Sequence, residues 1–411
     1  MGQYGLLGEK LTHSYSPLIH RELGSYKYDL FEVQPTQLAN FIATTPFQGL
    51  NVTIPYKQSV LEYCMHLSLA ALAIGSVNTI IRREDGSLYG DNTDAAGFFQ
   101  LLKIRNIQVK NRKVLVLGGG GSSLTVCHVL KEQGAAEIII VSRKGENNYD
   151  NLEYHYDSQV IINTTPVGMY PNNGDAPISL DGFKNLEGVV DLIYNPDKTA
   201  FLLEAEKRSI PYIGGIAMLV AQAAAASELF TGKSVSNERI NKIVAKIRKK
   251  TQNIILIGMP GSGKTTIGRA LAQLTGRKVI DTDQEIEIQT GKSIPDIFKE
   301  EGEKTFRKYE TDVVKKVGAL SGVIITTGGG CVTTPENYGH LRQNGILVYL
   351  ERQLDNLTRT GRPLSGGDLN QMYQQRLPLY NQFADKTVTN DQDVNGVAKK
   401  ILEVFDETIN H

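Results

Sequence analysis

Gly258-Met259-Pro260-Gly261-Ser262-Gly263-Lys264-Thr265 follows the apolar run Asn253-Ile254-Ile255-Leu256-Ile257 and opens a helical pattern over residues 266–274. It reads G-x-x-x-x-G-K-[ST] in the strand-to-helix context that makes the motif a phosphate-binding loop. The glycines let backbone N–H groups turn inward on phosphate oxygens, Lys264 reaches the terminal phosphates, and the Thr265 hydroxyl ligates Mg²⁺. Gly261, Ser262, Gly263, Lys264, Thr265 and Thr266 are therefore the first candidate binding residues, set in an α/β fold.

The strand at 278–280 delivers Asp281-Thr282-Asp283. Carboxylates at alternate positions of an extended segment share a face, so one can serve Mg²⁺ and the other a substrate hydroxyl. Asp283 can equally cap the helix that follows. Arg307 and Glu310 stand one helical turn apart, either paired on the surface or with Arg307 turned to a substrate carboxylate. Residues 323–327 run as a strand into Gly328-Gly329-Gly330, where missing side chains would let a ring approach the backbone. The glycine-rich 360–367 segment presents Arg362 as a lid would, and Arg376 heads Leu377-Pro378-Leu379-Tyr380.

With 411 residues the chain has room for two or three domains, and its 44 basic residues balance 44 acidic ones. That balance disfavours nucleic acid or a membrane surface as partner and favours small molecules. Cys64, Cys127 and Cys331 are few and far apart, which argues against a disulfide framework and fits a cytoplasmic protein. The N-terminus carries no basic run before an apolar one, and the apolar stretch at 217–226 is too short to span a bilayer. The basic end of the helical pattern at 239–250 suits a helix C-terminus better than a nucleic-acid patch.

In the first half, short β-type runs alternate with helical patterns, and polar residues cluster at their ends. Ser14 and Ser16 flank Tyr15 before Pro17, a pattern that alone reads as a helix N-cap. Asn51 and Thr53 lie on one face of a strand that turns at Pro55 to deliver Lys57, which alone reads as a solvated lysine. Asn78 ends a second strand, and Asp94 closes the polar run Gly90-Asp91-Asn92-Thr93-Asp94 before a helix expected over residues 95–102. Amides, hydroxyls, one lysine and one carboxylate at strand ends suit a polyhydroxylated acid. Gln222, among alanines, is either a core hydrogen-bonder or a ligand contact.

Between these lies Lys113-Val114-Leu115-Val116-Leu117, running into Gly118, Gly119, Gly120, Gly121, Ser122 and Ser123 and then a helix. This is the first turn of a dinucleotide-binding Rossmann unit, with Ser123 at the third glycine position. An NAD site would place a carboxylate after the next strand; here stand Ser142, Arg143 and Lys144, cations suited to the 2′-phosphate of NADP.

Together these motifs fall in one order, and residues 1 to about 250 resemble shikimate dehydrogenase: S-x-S at Ser14 and Ser16, N-V-T-x-P-x-K ending at Lys57, V-N-T at Asn78, D-N-T-D ending at Asp94, the 118–122 loop, and G-x-x-M-L-V-A-Q from Gly215 to Gln222. The resemblance implies shikimate contacts from Ser14, Ser16, Thr53, Asn78, Asp94, Tyr194 and Gln222, catalysis by Lys57 with Asp94, and an NADP site that includes Gly215. Two departures are Gly119 and Ser122 for the usual alanines, and a short polar 144–159 segment, expected to lack a full helix. Residues 252–411 resemble shikimate kinase through D-T-D, G-E-x-x-F-R-x-x-E, the triple glycine, the R-P-L lid and R-x-P-x-Y. That resemblance implies shikimate contacts from Asp283, Arg307, Gly329 and Arg376, with Asp283 orienting the hydroxyl, ATP on the loop and Arg362, and Mg²⁺ on Thr265 and Asp281.

The implied organisation is a substrate domain over 1–95 completed by 217–250, a Rossmann domain over 96–216 and a phosphate-loop kinase with a parallel sheet over 252–411. The implied chemistry is NADPH-dependent reduction of 3-dehydroshikimate to shikimate, then phosphorylation by ATP to shikimate 3-phosphate. Two alternatives stay open from sequence: a non-catalytic sensor or repressor of this architecture, and a first half that accepts quinate. Oligomeric state is not legible.

Overall fold

The computed structural model describes residues 3–11, 14–357 and 369–410. Arg362 lies outside the described residues. Three sheets carry the described residues. The first contains β1 (Tyr4–Gly8), β2 (Tyr28–Glu32), β3 (Gly49–Val52), β4 (His66–Leu67), β5 (Thr79–Arg82) and β6 (Leu88–Asp91), in the order β2-β1-β3-β5-β6-β4. The first three strands are mutually parallel and β5 runs antiparallel to both its neighbours. Leu7, Leu50, Val52 and Ile80 form its core, while the buried polar Asn51 is satisfied by the Tyr28 hydroxyl and by Thr79.

The second sheet holds β7 (Lys113–Leu117), β8 (Glu137–Val141), β9 (Val160–Asn163), β10 (Gly188–Asp191) and β11 (Tyr212–Gly214), all parallel, in the order β11-β10-β9-β7-β8. Nearly continuous apolar runs such as VLVL and VII are what strands covered on both faces require. Because β8 and β9 flank β7 on opposite sides, the chain reverses its direction of travel there. Ligands of doubly wound sheets bind in such a crevice, and residues 118–122 occupy it.

As expected, no full helix joins β8 to β9; the crossover holds only a short turn at Leu152–His155. Asparagines staple it: the Asn148 N–H donates to Asn151 Oδ1 at 2.9 Å, Asn151 Nδ2 donates to the Glu146 carbonyl at 3.0 Å, and His155 Nε2 pairs with Asn147 Oδ1 at 2.9 Å.

The third sheet contains β12 (Asn253–Ile257), β13 (Val279–Asp281), β14 (Ile324–Thr326), β15 (Gly345–Glu351) and β16 (Lys386–Thr389), all parallel, in the order β13-β14-β12-β15-β16. One face is covered by helices Lys264–Thr275 and Val394–Asn410 through Ile267, Leu271, Val397, Ile401 and Phe405. Phe306, Val313, Val317, Leu341 and Tyr380 cover the other. β12 is central and ends on the phosphate-binding loop.

The chain divides into two compact units, one of Met1–Val167, Ala176–Tyr194 and Glu204–Val244, the other of Gly168–Asp175, Asn195–Leu203 and Ala245–His411. The second unit thus includes two segments that precede β12 in sequence. They are bonded into it: Gln252 Nε2 donates to Asp197 Oδ2 at 2.6 Å and Asn173 Nδ2 to Gln343 Oε1 at 2.8 Å. Helix Asn237–Thr251 leaves only Gln252 before β12.

Candidate active sites

In the first unit, the loop after β3 and the helix Thr93–Ile104 meet at one ion pair. Lys57 Nζ lies 2.5 Å from Asp94 Oδ2, with the two side chains 33% and 20% exposed. Asp94 sits in the first turn of that helix, where a carboxylate is favoured by the helix dipole. Asn78 Oδ1 accepts the Thr93 N–H at 2.7 Å and hydroxyls of Thr79 and Thr93 at 3.1 Å. Those bonds fix the Asn78 amide plane at the N-terminal end of the helix that carries Asp94. Gln222 reaches the same place from helix Ile216–Thr231: a Cβ on Gly97, one turn after Asp94, would stand 2.8 Å from its Cβ. Its Nε2 donates to the Leu219 carbonyl at 2.8 Å, so the amide is anchored to its own helix.

The helix N-cap reading of Ser16 does not hold. Tyr15 occupies the cap position with no side-chain cap bond, and Ser14 Oγ receives the Ser16 N–H at 3.2 Å. The Tyr15 ring meets Tyr194 edge-on at 6.0 Å, which brings the S-x-S segment and Tyr194 together. Thr53 is held at the end of β3, its N–H bonded to the Leu7 carbonyl at 2.9 Å. Beneath them is a layer that sequence reading missed. His20 is buried, stacks on Tyr28 at 3.9 Å and pairs through Nδ1 with the Tyr26 hydroxyl at 2.7 Å. Burial pulls its imidazole down to about 3. No local pattern marks this layer, because it forms only when the helix Ser16–Leu23, β2 and the more distant β3 bring His20, Tyr28 and Asn51 together.

The cofactor cradle of this unit fits a dinucleotide. Gly118 adopts φ +104°, and a Cβ there would lie 2.8 Å from Thr164 Oγ1, whereas Cβ atoms on Gly120 or Gly121 would meet nothing within 4 Å. Open space thus faces the first turn of helix Gly121–Glu132, which begins directly after Gly119 and Gly120 and includes Ser122. Ser123 is buried, its hydroxyl donating to the Gly120 carbonyl at 2.6 Å, so it serves where a third glycine was expected. Arg143 and Lys144 are exposed just past β8, and neither pairs with a carboxylate among the described residues. Gly215 has a packing reason of its own: a side chain there would strike the Leu192 carbonyl.

In the second unit the phosphate-binding loop, Asp281, Asp283, Arg307, the triple glycine and Arg376 line one cavity of about 490 Å³. Gly261 and Gly263 take φ +83° and +95°, and Lys264 Nζ donates to the Gly258 and Met259 carbonyls at 2.8 and 2.9 Å. Ser262 Oγ is buried without a partner among the described residues, and Thr266 lies on the wall. An orphan hydroxyl and inward-turned glycines fit a nucleotide's phosphates. Asp281 is split between two tasks. Its Oδ1 caps helix Thr282–Thr290, and its Oδ2 accepts Thr265 Oγ1 at 2.9 Å and Thr326 Oγ1 at 2.8 Å. Asp281, rather than Asp283, is therefore the capping residue, and Asp283 stands in the first helical turn instead of extending the strand. Among the described residues no three His, Cys, Asp or Glu side chains cluster for a metal. Mg²⁺ asks for less: one or two protein oxygens beside phosphates, which Thr265 and Asp281 offer.

Arg307 and Glu310 do pair, at 2.8 Å, but not on the surface: Glu310 is fully buried. The signal was present in the sequence, since Glu310 shares the spacing of Phe306, Val313, Val314 and Val317 on the buried helix face. The triple glycine lines the cavity and also makes room for protein groups. A Cβ on Gly328 would fall 2.6 Å from Asp283 Oδ1 and 3.0 Å from Glu310 Oε1, one on Gly329 2.5 Å from Pro260 Cδ, and one on Gly330 inside the Arg307 guanidinium. Arg376 is buried and donates to the Gly329 carbonyl at 3.2 Å, alongside the Tyr380 hydroxyl at 2.6 Å.

Residues 6–80 match the family model of the shikimate dehydrogenase substrate binding domain, and residues 260–406 that of shikimate kinase. A shikimate dehydrogenase (NADP(+)) of Clostridium beijerinckii is 40% identical over 256 residues, 57% of this chain and 94% of that protein. One of Shouchella clausii is 36% identical over 273 residues, covering 59% and 97%. Among solved structures, a chorismate mutase/shikimate 5-dehydrogenase fusion protein from Clostridium acetobutylicum aligns with TM-score 0.56 and 36% identity over 59% of this chain and 96% of that one. The shikimate 5-dehydrogenase of Thermus thermophilus in complex with NADP(H) and shikimate aligns with TM-score 0.54 and 30% identity over 59% and 98%. The chain therefore belongs to the shikimate dehydrogenase family and carries a shikimate kinase domain on the same polypeptide.

Proposed function

We propose that the two sites run consecutive reactions, reduction of 3-dehydroshikimate to shikimate and phosphorylation of shikimate to shikimate 3-phosphate. The observation that carries this reading is the presence, in one chain, of the Lys57–Asp94 pair among ligand-ready hydroxyls and amides and of the cavity that joins a phosphate-binding loop to Arg307 and Arg376.

NADPH, when bound on Gly118 to Ser122 with Arg143, Lys144 and Gly215, supplies the hydride. The chain supplies the proton. Lys57 Nζ delivers it to the oxygen of the C3 carbonyl as negative charge grows there, and Asp94 holds the ammonium in place. Ser14, Ser16, Thr53, Asn78, Tyr194 and Gln222 orient the ring and its carboxylate. In the kinase half, ATP with Mg²⁺ on Thr265 and Asp281 supplies the phosphoryl group. Asp283 orients the shikimate hydroxyl, Arg307, Arg376 and Gly329 hold the acid, and Arg362 is assigned to the phosphates. The three free cysteines and these cofactors support a cytoplasmic location; no described helix is long and apolar enough to cross a membrane.

A coupled assay with 3-dehydroshikimate, NADPH and MgATP tests the reading, following NADPH loss and ADP release separately. Both signals are expected, with ADP release dependent on NADPH. NADPH loss without ADP release, when added shikimate also fails to release ADP, would refute the second activity.

A further inference from the structure

Helix Gly302–Gly318 places a carboxylate, Glu310, at a core position between Phe306 and Val313. Its Oε2 receives Arg307 Nη1 at 2.8 Å, while its Oε1 is sealed from solvent and has no hydrogen-bond partner among the described residues. A buried carboxylate oxygen without a donor is costly when charged and far less so when its group carries a proton. The groups facing it come from four elements. On its own helix stands Arg307, whose other nitrogen is shared with Glu303 at 2.9 Å. Asp283 Oδ1 reaches the same notch beside Gly328 from helix Thr282–Thr290. Arg376 approaches from helix Leu369–Phe383, and the Cys331 thiol from the turn after Gly330. Two guanidiniums thus already answer Asp283, Glu310 and, at the rim, Glu303.

An acceptor that brings its own carboxylate to Arg307 and Arg376 adds a further negative charge and competes for the one group bonded to Glu310. We propose that seating the acceptor's carboxylate draws a proton from solvent onto Glu310, so that acceptor binding and proton uptake are one event. The neutral carboxyl releases Arg307 to the acceptor, which makes Glu310 a positioning residue. This rests on Arg307 and Arg376 as the carboxylate's partners. Before the acceptor arrives, burial pushes the Glu310 carboxyl up to about 7, against the pull of Arg307 and with help from Asp283. The proton is therefore about half present at neutral pH, and about half a proton remains to be taken up.

The test titrates shikimate calorimetrically into the full chain in two buffers of different ionisation heat, for the wild type and for Glu310→Gln. Binding at the dehydrogenase site contributes equally to both proteins and cancels in their difference. The wild type is expected to show a larger buffer dependence, worth about half a proton near pH 7. Its kinase KM for shikimate should rise with pH, approaching tenfold per unit above about pH 7, and the Glu310→Gln profile should be flat. If that variant does not fold, the wild-type KM profile and an infrared band of a neutral buried carboxyl that grows on adding shikimate still decide. A pH-independent wild-type KM, or equal buffer dependence in the two proteins, overturns the proposal. Unchanged shikimate KM in Arg376→Ala would instead refute the carboxylate clamp itself.

Discussion

Each unit builds its site around a cation paired with a carboxylate, and the two pairs are built differently. Lys57–Asp94 is partly open to solvent at 33% and 20%, whereas in Arg307–Glu310 the arginine is 15% exposed and the glutamate 0%. A lysine can surrender a proton; an arginine in a protein does not. The reduction needs a proton delivered to an oxygen, and the open lysine pair suits that task. Holding a carboxylate needs a fixed, forked cation, and the buried arginine suits that one. The choice of cation thus follows the chemistry, and burial moves the proton question in the kinase half from the cation to its partner.

The largest expected effect comes from Lys57. Lys57→Ala should lower dehydrogenase turnover by about 10²- to 10⁴-fold while kinase turnover survives. Lys57→Arg should fail nearly as badly, although it keeps the charge beside Asp94, because it keeps the proton too. A Lys57→Arg enzyme near wild-type rate would break the contrast between the pairs.

Buried titratable groups should give the two units opposite pH responses. His20, held down to about 3 against its ordinary 6.5, contributes stability that is present above pH 6.5 and is lost as pH falls toward 3. By about pH 5 the loss reaches about 2 kcal/mol. Glu310, raised to about 7 from 4.5, contributes stability that is present below pH 4.5 and is lost as pH rises through 7, in all on the order of 3 kcal/mol. Heat inactivation of each activity, measured at about pH 5.5 and about pH 8, should therefore favour the dehydrogenase at the higher pH and the kinase at the lower. Parallel responses would show that these two groups do not govern.

Arg376→Ala should weaken shikimate binding to the kinase site by about 2 kcal/mol, since it removes a charge-assisted bond. Shikimate KM for ADP release measures it, and dehydrogenase KM serves as the internal control. The smallest expected effect belongs to Arg143 and Lys144, which are exposed and screened. Neutralising both should raise the KM for NADPH over that for NADH by about tenfold, on the order of 1 kcal/mol. An unchanged ratio would place the selector elsewhere.

What was legible in the sequence was local. The strand-loop-helix at 253–275, the Lys57 and Asp94 motifs and the bare crossover at 144–159 each follow from a run of neighbouring residues, and the fold puts them where those runs imply. What was not legible depended on which distant group arrives. Asp281 takes the cap and the Thr265 bond together because β13 ends against helix Lys264–Thr275. The Ser16 amide turns to Ser14 in place of a helix cap. Glu310 had its burial written in the helix period, but that its second oxygen would be left without a donor depends on Gly328 and Asp283.

Gly328, Gly329 and Gly330 are each held by a different neighbour: a carboxylate pair, a proline ring and a guanidinium. Because the Arg307 guanidinium is bonded to Glu310, displacing it to admit a side chain at Gly330 also disturbs the carboxylates at Gly328, while Pro260 still closes Gly329, so no single relief opens all three. In a saturation mutagenesis screen scored on kinase function the tripeptide should appear as three adjacent empty columns.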